Sequence, residues 1–406
     1  VGRPCIVIIQ IFGLVMVRNF FFLACVLLGA LASAQLPRLS QNARISVLTC
    51  GSGDELYSAF GHTAFRVQDS VLGLDVVYNY GTFDFDQPNF YLNFAKGNMV
   101  YSLSRTRFAN FLLEYEADKR WIREQILDLD QAEKNKFLAF LEDNYRPENR
   151  NYLYDPLFNN CSNITANILE KLFDNQITYS YSHLEKRHTF RELIMQHLHW
   201  NSWSALGINL AYGSVVDREA TPYEHMFLPY YTMYQLRNTT KNGKPLVLRE
   251  RVVLDYDEHE QRSFFLTSPL FWLLLLFMFV AAITFLDYHH DHKNPWLDTV
   301  LFTLTGLLGF FIVFLWFFTN HSGTGGNLNI LWAVPLNFIL VFMLLFAGRP
   351  AWYVQYLWFL LGLLALLLAI WVLGIQVFPV LVLPIMATLA IRYLYLWYWE
   401  WKVPKP

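Results

Sequence analysis

The chain has 406 residues, 54% of them hydrophobic and 17% aromatic, and a formal net charge of −2 at pH 7. With a positive mean hydropathy, that apolar share exceeds what a soluble chain of this length needs for its cores. The near balance of charge, with no basic stripe to meet phosphates, excludes a nucleic-acid binder.

Arg18 precedes a short apolar stretch, Phe20 to Leu31, which is followed by Ala32, Ser33 and Ala34. Small residues at 32 and 34 predict signal-peptidase cleavage after Ala34, and residues 1–15, ahead of Met16, read as over-extension of the reading frame. A retained N-terminal anchor is the alternative. Cleavage removes Cys5 and Cys25 and leaves Cys50 and Cys161 in an exported chain, where a disulfide is one reading of the pair.

Residues 35–263 are long enough for one or two soluble domains of mixed α+β character. The first predicted strand is Arg44 to Thr49, with Ile45, Val47 and Thr49 on one face. Asp54 is expected to cap a short helix through Phe60, which Gly61 stops, so that His62 opens a strand to Val67. Leu74 to Tyr80 forms another strand ending at Gly81, followed by a loop of Asp, Gln, Pro and Asn. A helix near 107–117, a strand near 121–129 and a helix from Gln131 to about Tyr145, capped by Asp130 with Glu133, complete this part.

Ile164, Ile168 and Leu172 recur at helical spacing, which places Cys161 in the first turn of a helix. Unpaired amides and the helix dipole at that point favour a thiolate. The same amides, with the Asn160 side chain as a further donor, suit a developing oxyanion. A strand-borne His62 and a helix-start Cys161 are the parts of a cysteine acyl-transfer site, in which imidazole takes the thiol proton and later handles that of the incoming nucleophile.

Five apolar spans follow, near 266–286, 296–318, 328–346, 352–373 and 376–397, each close to the ~20 residues that cross a bilayer. With residues 264–406 read as a membrane domain and 35–263 as exported, Lys293, Arg349, Arg392, Lys402 and Lys405 fall on the cytoplasmic side. The external loops carry no Lys or Arg, in agreement with the positive-inside rule. This orients residues 35–263 outside the membrane and the C-terminus in the cytoplasm. Pro379 and Pro384 are expected to kink or break the last span. His289, His290, Asp291 and His292 look like metal ligands but fall in a cytoplasmic connector, and His183, His188, His197 and His199 lack zinc spacing. No metal and no cofactor is expected.

The segments from Leu48 to Gly51, Asp54 to Val67, Tyr78 to Phe85 and Asn159 to Ser162 together closely resemble the Lnb family of bacterial lipoprotein N-acyltransferases of Bacteroidota. Asp217-Arg218, Glu224 to Pro229, Asn320-His321 and Asn327 to Asn329 extend the likeness over nearly the whole mature chain. One departure is Ser162-Asn163, where Ser-Thr is expected. The order of His before Cys also resembles permuted papain-like folds of the NlpC and lecithin:retinol acyltransferase type.

The resemblance implies transfer of a fatty acyl chain, through a Cys161 thioester, to the α-amine of the lipidated N-terminal cysteine of a lipoprotein. Membrane phospholipid, the diacylglyceryl lipoprotein, or both are the substrates. The resemblance also implies a bacterial inner membrane, with the catalytic domain in the periplasm. The orienting third residue is Asn79 or Tyr80, because strand parity alone does not decide between them. Asn320 and His321 are candidates for a lipid headgroup, and Tyr223 and Phe227, with Tyr230, Tyr231 and Tyr234, for a lipid-facing lip. For Asp217, Arg218 and Glu224 internal salt bridges are the expected role. Rival readings are a membrane-anchored phospholipase or thioesterase, a cell-wall cysteine endopeptidase or amidase, and a scaffold with a Cys50–Cys161 disulfide.

Overall fold

Apolar, β-branched runs build a meander. β1 (Arg44–Cys50), β2 (His62–Asp69) and β3 (Leu74–Thr82) pair antiparallel as neighbours, with Cys50 opposite His62 and Phe65 opposite Tyr78. The computed structural model describes residues 37–259, 264–347 and 350–402. The signal segment with Cys5, Cys25 and Ala34 lies outside them, as do Arg349 and Lys405.

In chain order there follow α1 (Phe90–Lys96), β4 (Val100–Arg107), α2 (Phe108–Ala117), β5 (Ile122–Leu127), α3 (Gln131–Tyr145), β6 (Asn151–Leu153) and α4 (Cys161–Phe173). Asp130 and Glu133 form the expected capping box at the start of α3. Residues 51–60 form turns instead of the helix expected from Asp54, and α1 arises inside the stretch expected to be a loop. Next come β7 (Ile177–Tyr179), α5 (Phe190–Met195), α6 (Trp203–Ala211) and α7 (Pro229–Arg237). β8 (Thr239–Lys241) and β9 (Lys244–Pro245) join β7 in a small sheet, and β10 (Val247–Leu254) completes a seven-stranded sheet of order β10-β5-β1-β2-β3-β4-β6.

Both faces of this sheet are covered. On one face, Ile45, Val47, Phe65 and Tyr78 pack against Phe137 and Leu141 of α3 and Ile168 and Leu169 of α4. On the other, Leu48, Cys50, Ala64 and Val77 meet Phe111 and Tyr115 of α2. The second face also buries Arg66, which pairs with Asp75 at 2.7 Å and Glu124 at 3.2 Å while its guanidinium lies over Phe108. A buried charge needs such pairing to offset its desolvation.

The C-terminal region is helical: α8 (Pro269–His289), α9 (Pro295–Phe317), α10 (Leu336–Phe342), α11 (Tyr353–Val372) and α12 (Val382–Lys402). Among the described residues, four segments are long and apolar enough to cross a membrane: Pro269–His289, Pro295–Phe317, Leu328–Leu345 and Tyr353–Val372. The fifth expected span is shifted. α12 starts at Val382, so Pro379 precedes it and Pro384 lies in its first turn, where a missing N–H costs nothing and no kink results. Arg392 is a buried side chain, ion-paired to Asp298 at 2.6 Å and Asp287 at 2.8 Å, and so it ties α12 to α9 and α8.

Hydrogen bonds dock the sheet region onto one end of this bundle. Trp203 Nε1 donates to Thr267 O, Asn327 Nδ2 donates to Leu210 O and Ala211 O, and Asn329 Nδ2 donates to Asn209 O. The Gly213 N–H donates to Gly323 O at 3.0 Å, and the Ser214 N–H to Gly326 O at 3.1 Å. Asn320 and His321, expected at a lipid headgroup, belong to the same seam. The Asn320 N–H donates to Lys96 O and its side chain to Asn98 Oδ1, while the His321 backbone lies against Gly97. The Asn320 side chain is thus taken up by contact between the two regions, and the His321 ring lies edge-on to Phe94.

A Cβ on Gly213 would collide with Gly325 O and Asn327 N. Gly213→Val is therefore expected to destabilise the docked state by about 1–3 kcal/mol, the usual cost of overpacking. Thermal unfolding of the detergent-solubilised full chain checks this: an unchanged Tm contradicts the tight seam.

Candidate active site

α4 begins at Cys161 because Asn160 caps it: the Asn160 Oδ1 accepts from the N–H groups of Ser162 at 2.8 Å and Asn163 at 3.1 Å. Asn163 returns the favour through its own Oδ1, which accepts from the Asn160 N–H and completes a capping box. Such a cap is worth about 1 kcal/mol. The Asn160 amide group donates to Pro156 O and Phe227 O. Its donors are thus occupied, and the expected oxyanion role for Asn160 is corrected to that of a cap and a tether.

His62 stands at the start of β2, where Gly61 in the left-handed region turns the chain into the strand. The Asn79 Oδ1 lies 2.5 Å from His62 Nε2. Nε2–H donating to Asn79 leaves Nδ1 for the sulfur of Cys161, with which the imidazole shares a hydrogen bond. Tyr80 is not the third residue. It packs in the core with α3 and accepts from Asn144 Nδ2 at 2.8 Å. α4 covers the face that carries Tyr80, yet the imidazole at the strand end belongs to the side of Asn79.

Two neighbours of the pair escape a reading by sequence pattern. Thr63 turns toward α4, where its hydroxyl lies 3.4 Å from those of Ser162 and Thr165, and its N–H and hydroxyl help to lower the pKa of the Cys161 thiol. Gly81 sits in a bulge of β3, between the Asn79–Ser104 and Thr82–Ser102 pairs, and a Cβ there would come into contact with His62 Cε1 and the Cys161 Cβ. A glycine inside a strand is the one signal that could have pointed to it.

Burial alone would push the Cys161 thiol up. The charge of His62, its hydrogen bond, and the N–H and hydroxyl of Thr63 outweigh burial and hold the thiol at about 7. For His62, burial lowers the pKa, but the Cys161 charge and the hydrogen bonds to Cys161 and Asn79 raise it overall. Each partner stabilises the charged form of the other, the arrangement of a thiolate–imidazolium pair. Cys50 is different: burial pushes it up to about 12, and both cysteines are free thiols, which corrects the disulfide reading.

The remaining candidates are scattered. Phe227 is buried against Phe190, and the Tyr223 hydroxyl donates to Asn167, so neither forms a lip. Asp217 pairs with Arg191 at 2.7 Å and Arg218 with Glu224 at 2.5 Å, both internal bridges. Tyr230, Tyr231 and Tyr234 line a cavity of about 740 Å³ beside Cys50 and Gly61, together with Trp121, His183 and His197. That cavity does not include Cys161 or His62.

Because the Cys161 thiol is held at about 7, its alkylation by iodoacetamide is expected to rise as pH increases through 7, while Cys50 stays inert to pH 9. His62→Ala removes the main influence that lowers the thiol pKa, so its midpoint moves upward. Mass spectrometry of labelled peptides across pH 5–9 reads both effects, and equal labelling of the two cysteines at pH 7 contradicts an activated Cys161.

A family model described as the Lnb N-terminal periplasmic domain matches residues 39–196, and one described as the Lnb transmembrane domain matches residues 259–402. No curated protein and no solved structure matches the chain. The two matched regions take in most of the sequence, in the order in which the sheet and the helical bundle occur. The chain belongs to the Lnb family, as a membrane-spanning protein whose periplasmic domain carries Cys161 and His62.

Proposed function

We propose that the protein is a lipoprotein N-acyltransferase that works through a Cys161 thioester. The observation that carries this reading is the thiol itself: held at about 7 by His62 and Thr63, it sits in a domain that hydrogen bonds tie to the outer loops of a membrane bundle. In the first half-reaction, the thiolate attacks a lipid ester carbonyl. The ester oxygen leaves with a proton from His62, and the acyl chain remains on sulfur. In the second, the α-amine of a lipidated N-terminal cysteine attacks the thioester, His62 takes its proton, and Cys161 is released with the amide formed. Asn79 keeps the imidazole aimed at sulfur throughout.

Two donors suit the tetrahedral oxyanion. The Asn160 cap leaves the Cys161 N–H unclaimed by its side chain, and the Tyr152 hydroxyl is buried without a hydrogen-bond partner among the described residues. Tyr152 lies close enough to Cys161 for the thiolate charge to raise its pKa further above a value already lifted by burial. A phenol kept neutral can donate. Losing one such donor typically costs a factor of 10²–10³ in kcat. Tyr152→Phe is expected to approach that loss with thiol alkylation unchanged, and single-turnover kinetics of acyl transfer check it.

Both substrates of this reaction are anchored in the bilayer, which raises their local concentration and favours the amine over water. The C-terminus is assigned to the cytoplasmic side, since α12 leads away from the docked end. The deciding experiment is mass spectrometry of a reporter lipoprotein co-expressed with the wild type or with Cys161→Ala, in cells lacking other N-acyltransferases. An added N-linked acyl chain with the wild type alone is expected. Absence of the added chain from both, at equal expression, overturns the proposal, and release of free fatty acid in its place makes the site a hydrolase.

A further inference from the structure

α1 presents apolar side chains that the fold leaves uncovered. Tyr91 is 77% exposed, Phe94 57% and Leu92 51%, and Phe85 on the preceding turn is 56% exposed. Contiguous apolar surface of this kind marks a contact with another apolar phase. The position of α1 indicates which one. Its last residue, Lys96, accepts the Asn320 N–H at its carbonyl, and Gly97 packs on the Asn320–His321 backbone, just beyond the end of spanning helix α9. Phe317 and Phe318, where that helix ends, are 63% and 70% exposed. α1 is thus held at the depth where an apolar helix leaves the hydrocarbon, the level at which aromatic side chains settle in a bilayer.

The inner side of the same helix leads to the thiol. Phe90 stacks with Phe83 at 6.1 Å between centroids, Phe83 meets Tyr101 at 5.0 Å, and Tyr101 stacks on Tyr154 at 4.1 Å. Tyr154 in turn feels the charge of Cys161. The aromatic run extends from the surface of α1 to Tyr154, which lies within electrostatic reach of Cys161.

We propose that α1 and the Phe83–Phe85 turn form a lip immersed in the outer leaflet, and that the acyl chain of a membrane lipid follows the aromatic run to Cys161. The immersion stands on its own geometry, whereas the route to Cys161 rests on the acyl-transfer reading. The occupant is lipid acyl chain, because what adjoins the lip is the rim of a spanning helix.

The test uses the full chain in vesicles of phosphatidylethanolamine and phosphatidylglycerol. Tyr91→p-benzoylphenylalanine and Phe94→p-benzoylphenylalanine are compared with the same replacement at Leu72, an exposed residue on the β2–β3 turn, at the opposite end of β2 from His62. After irradiation, lipid adducts at 91 and 94 are expected to exceed those at 72 by at least tenfold, and equal yields at all three positions overturn the lip. A variant combining Tyr91→Asp and Phe94→Asp tests the route. It is expected to form acyl-Cys161 from vesicle phospholipid at least tenfold more slowly while its Cys161 still reacts normally with iodoacetamide. Acylation at the wild-type rate overturns the route. If the wild type itself forms no acyl-Cys161, the acyl-transfer reading falls together with the route, and the cross-linking alone decides the lip.

Discussion

Everything at the site depends on how α4 seats against β2 and β3. Ile168, Leu169 and Leu172 bury themselves with Phe65, Val67 and Tyr78, each worth roughly 1.5–3 kcal/mol of transfer free energy. This apolar contact sets the height of the helix, and small polar residues set its register at the open end. Thr165 and Ser162 of α4 face Thr63 of β2 at 3.4 Å. Bulkier side chains there would lift the first turn and draw the sulfur away from His62. The activated thiol is therefore a consequence of core packing, and its hydrogen bonds are made at the rim of a well-filled interface.

A second constraint couples the site to the membrane. The strand that carries Asn79 runs, after its bulge at Gly81, into the turn and short helix that reach the outer loop at Asn320 and His321. On the other flank, α6 and the segment after it bind Gly323, Gly326 and Asn327. Arg191 stiffens that flank from inside, donating to Asp217, Asn209 and the carbonyls of Tyr212 and Gly213. Backbone and amide groups make the hydrogen bonds at both anchors, and at the second of them Leu210 also packs into the apolar cluster of the bundle.

Much of the fold was legible because its signals are local. The strands at 44–50, 62–69 and 74–82, the helix capped by Asp130 and the helix opened by Cys161 all follow from periodicity and capping chemistry. Misplaced elements have equally local reasons. The turns at 51–60 hold two glycines close to Trp121 and Ser58, and α1 is a seven-residue helix too short to declare a period. Its stability comes from Phe90 packing inward and from the outer loop at its end, both of them tertiary contacts.

Cysteine and histidine in the right order, a helix start at Cys161, an exported region and apolar spans were determined by the sequence by itself, since each depends on residue type and near neighbours. Which partner His62 takes was decided only by tertiary structure: Asn79 and Tyr80 are adjacent in one strand, and the fold alone tells which of their sides holds the imidazole. The same holds for Asn160 and Asn320, polar residues that read as functional marks until their partners were in place. A polar side chain declares its chemistry in one dimension, but its role is set by whatever lies within hydrogen-bond reach, and that neighbourhood is assembled from segments far apart in the chain.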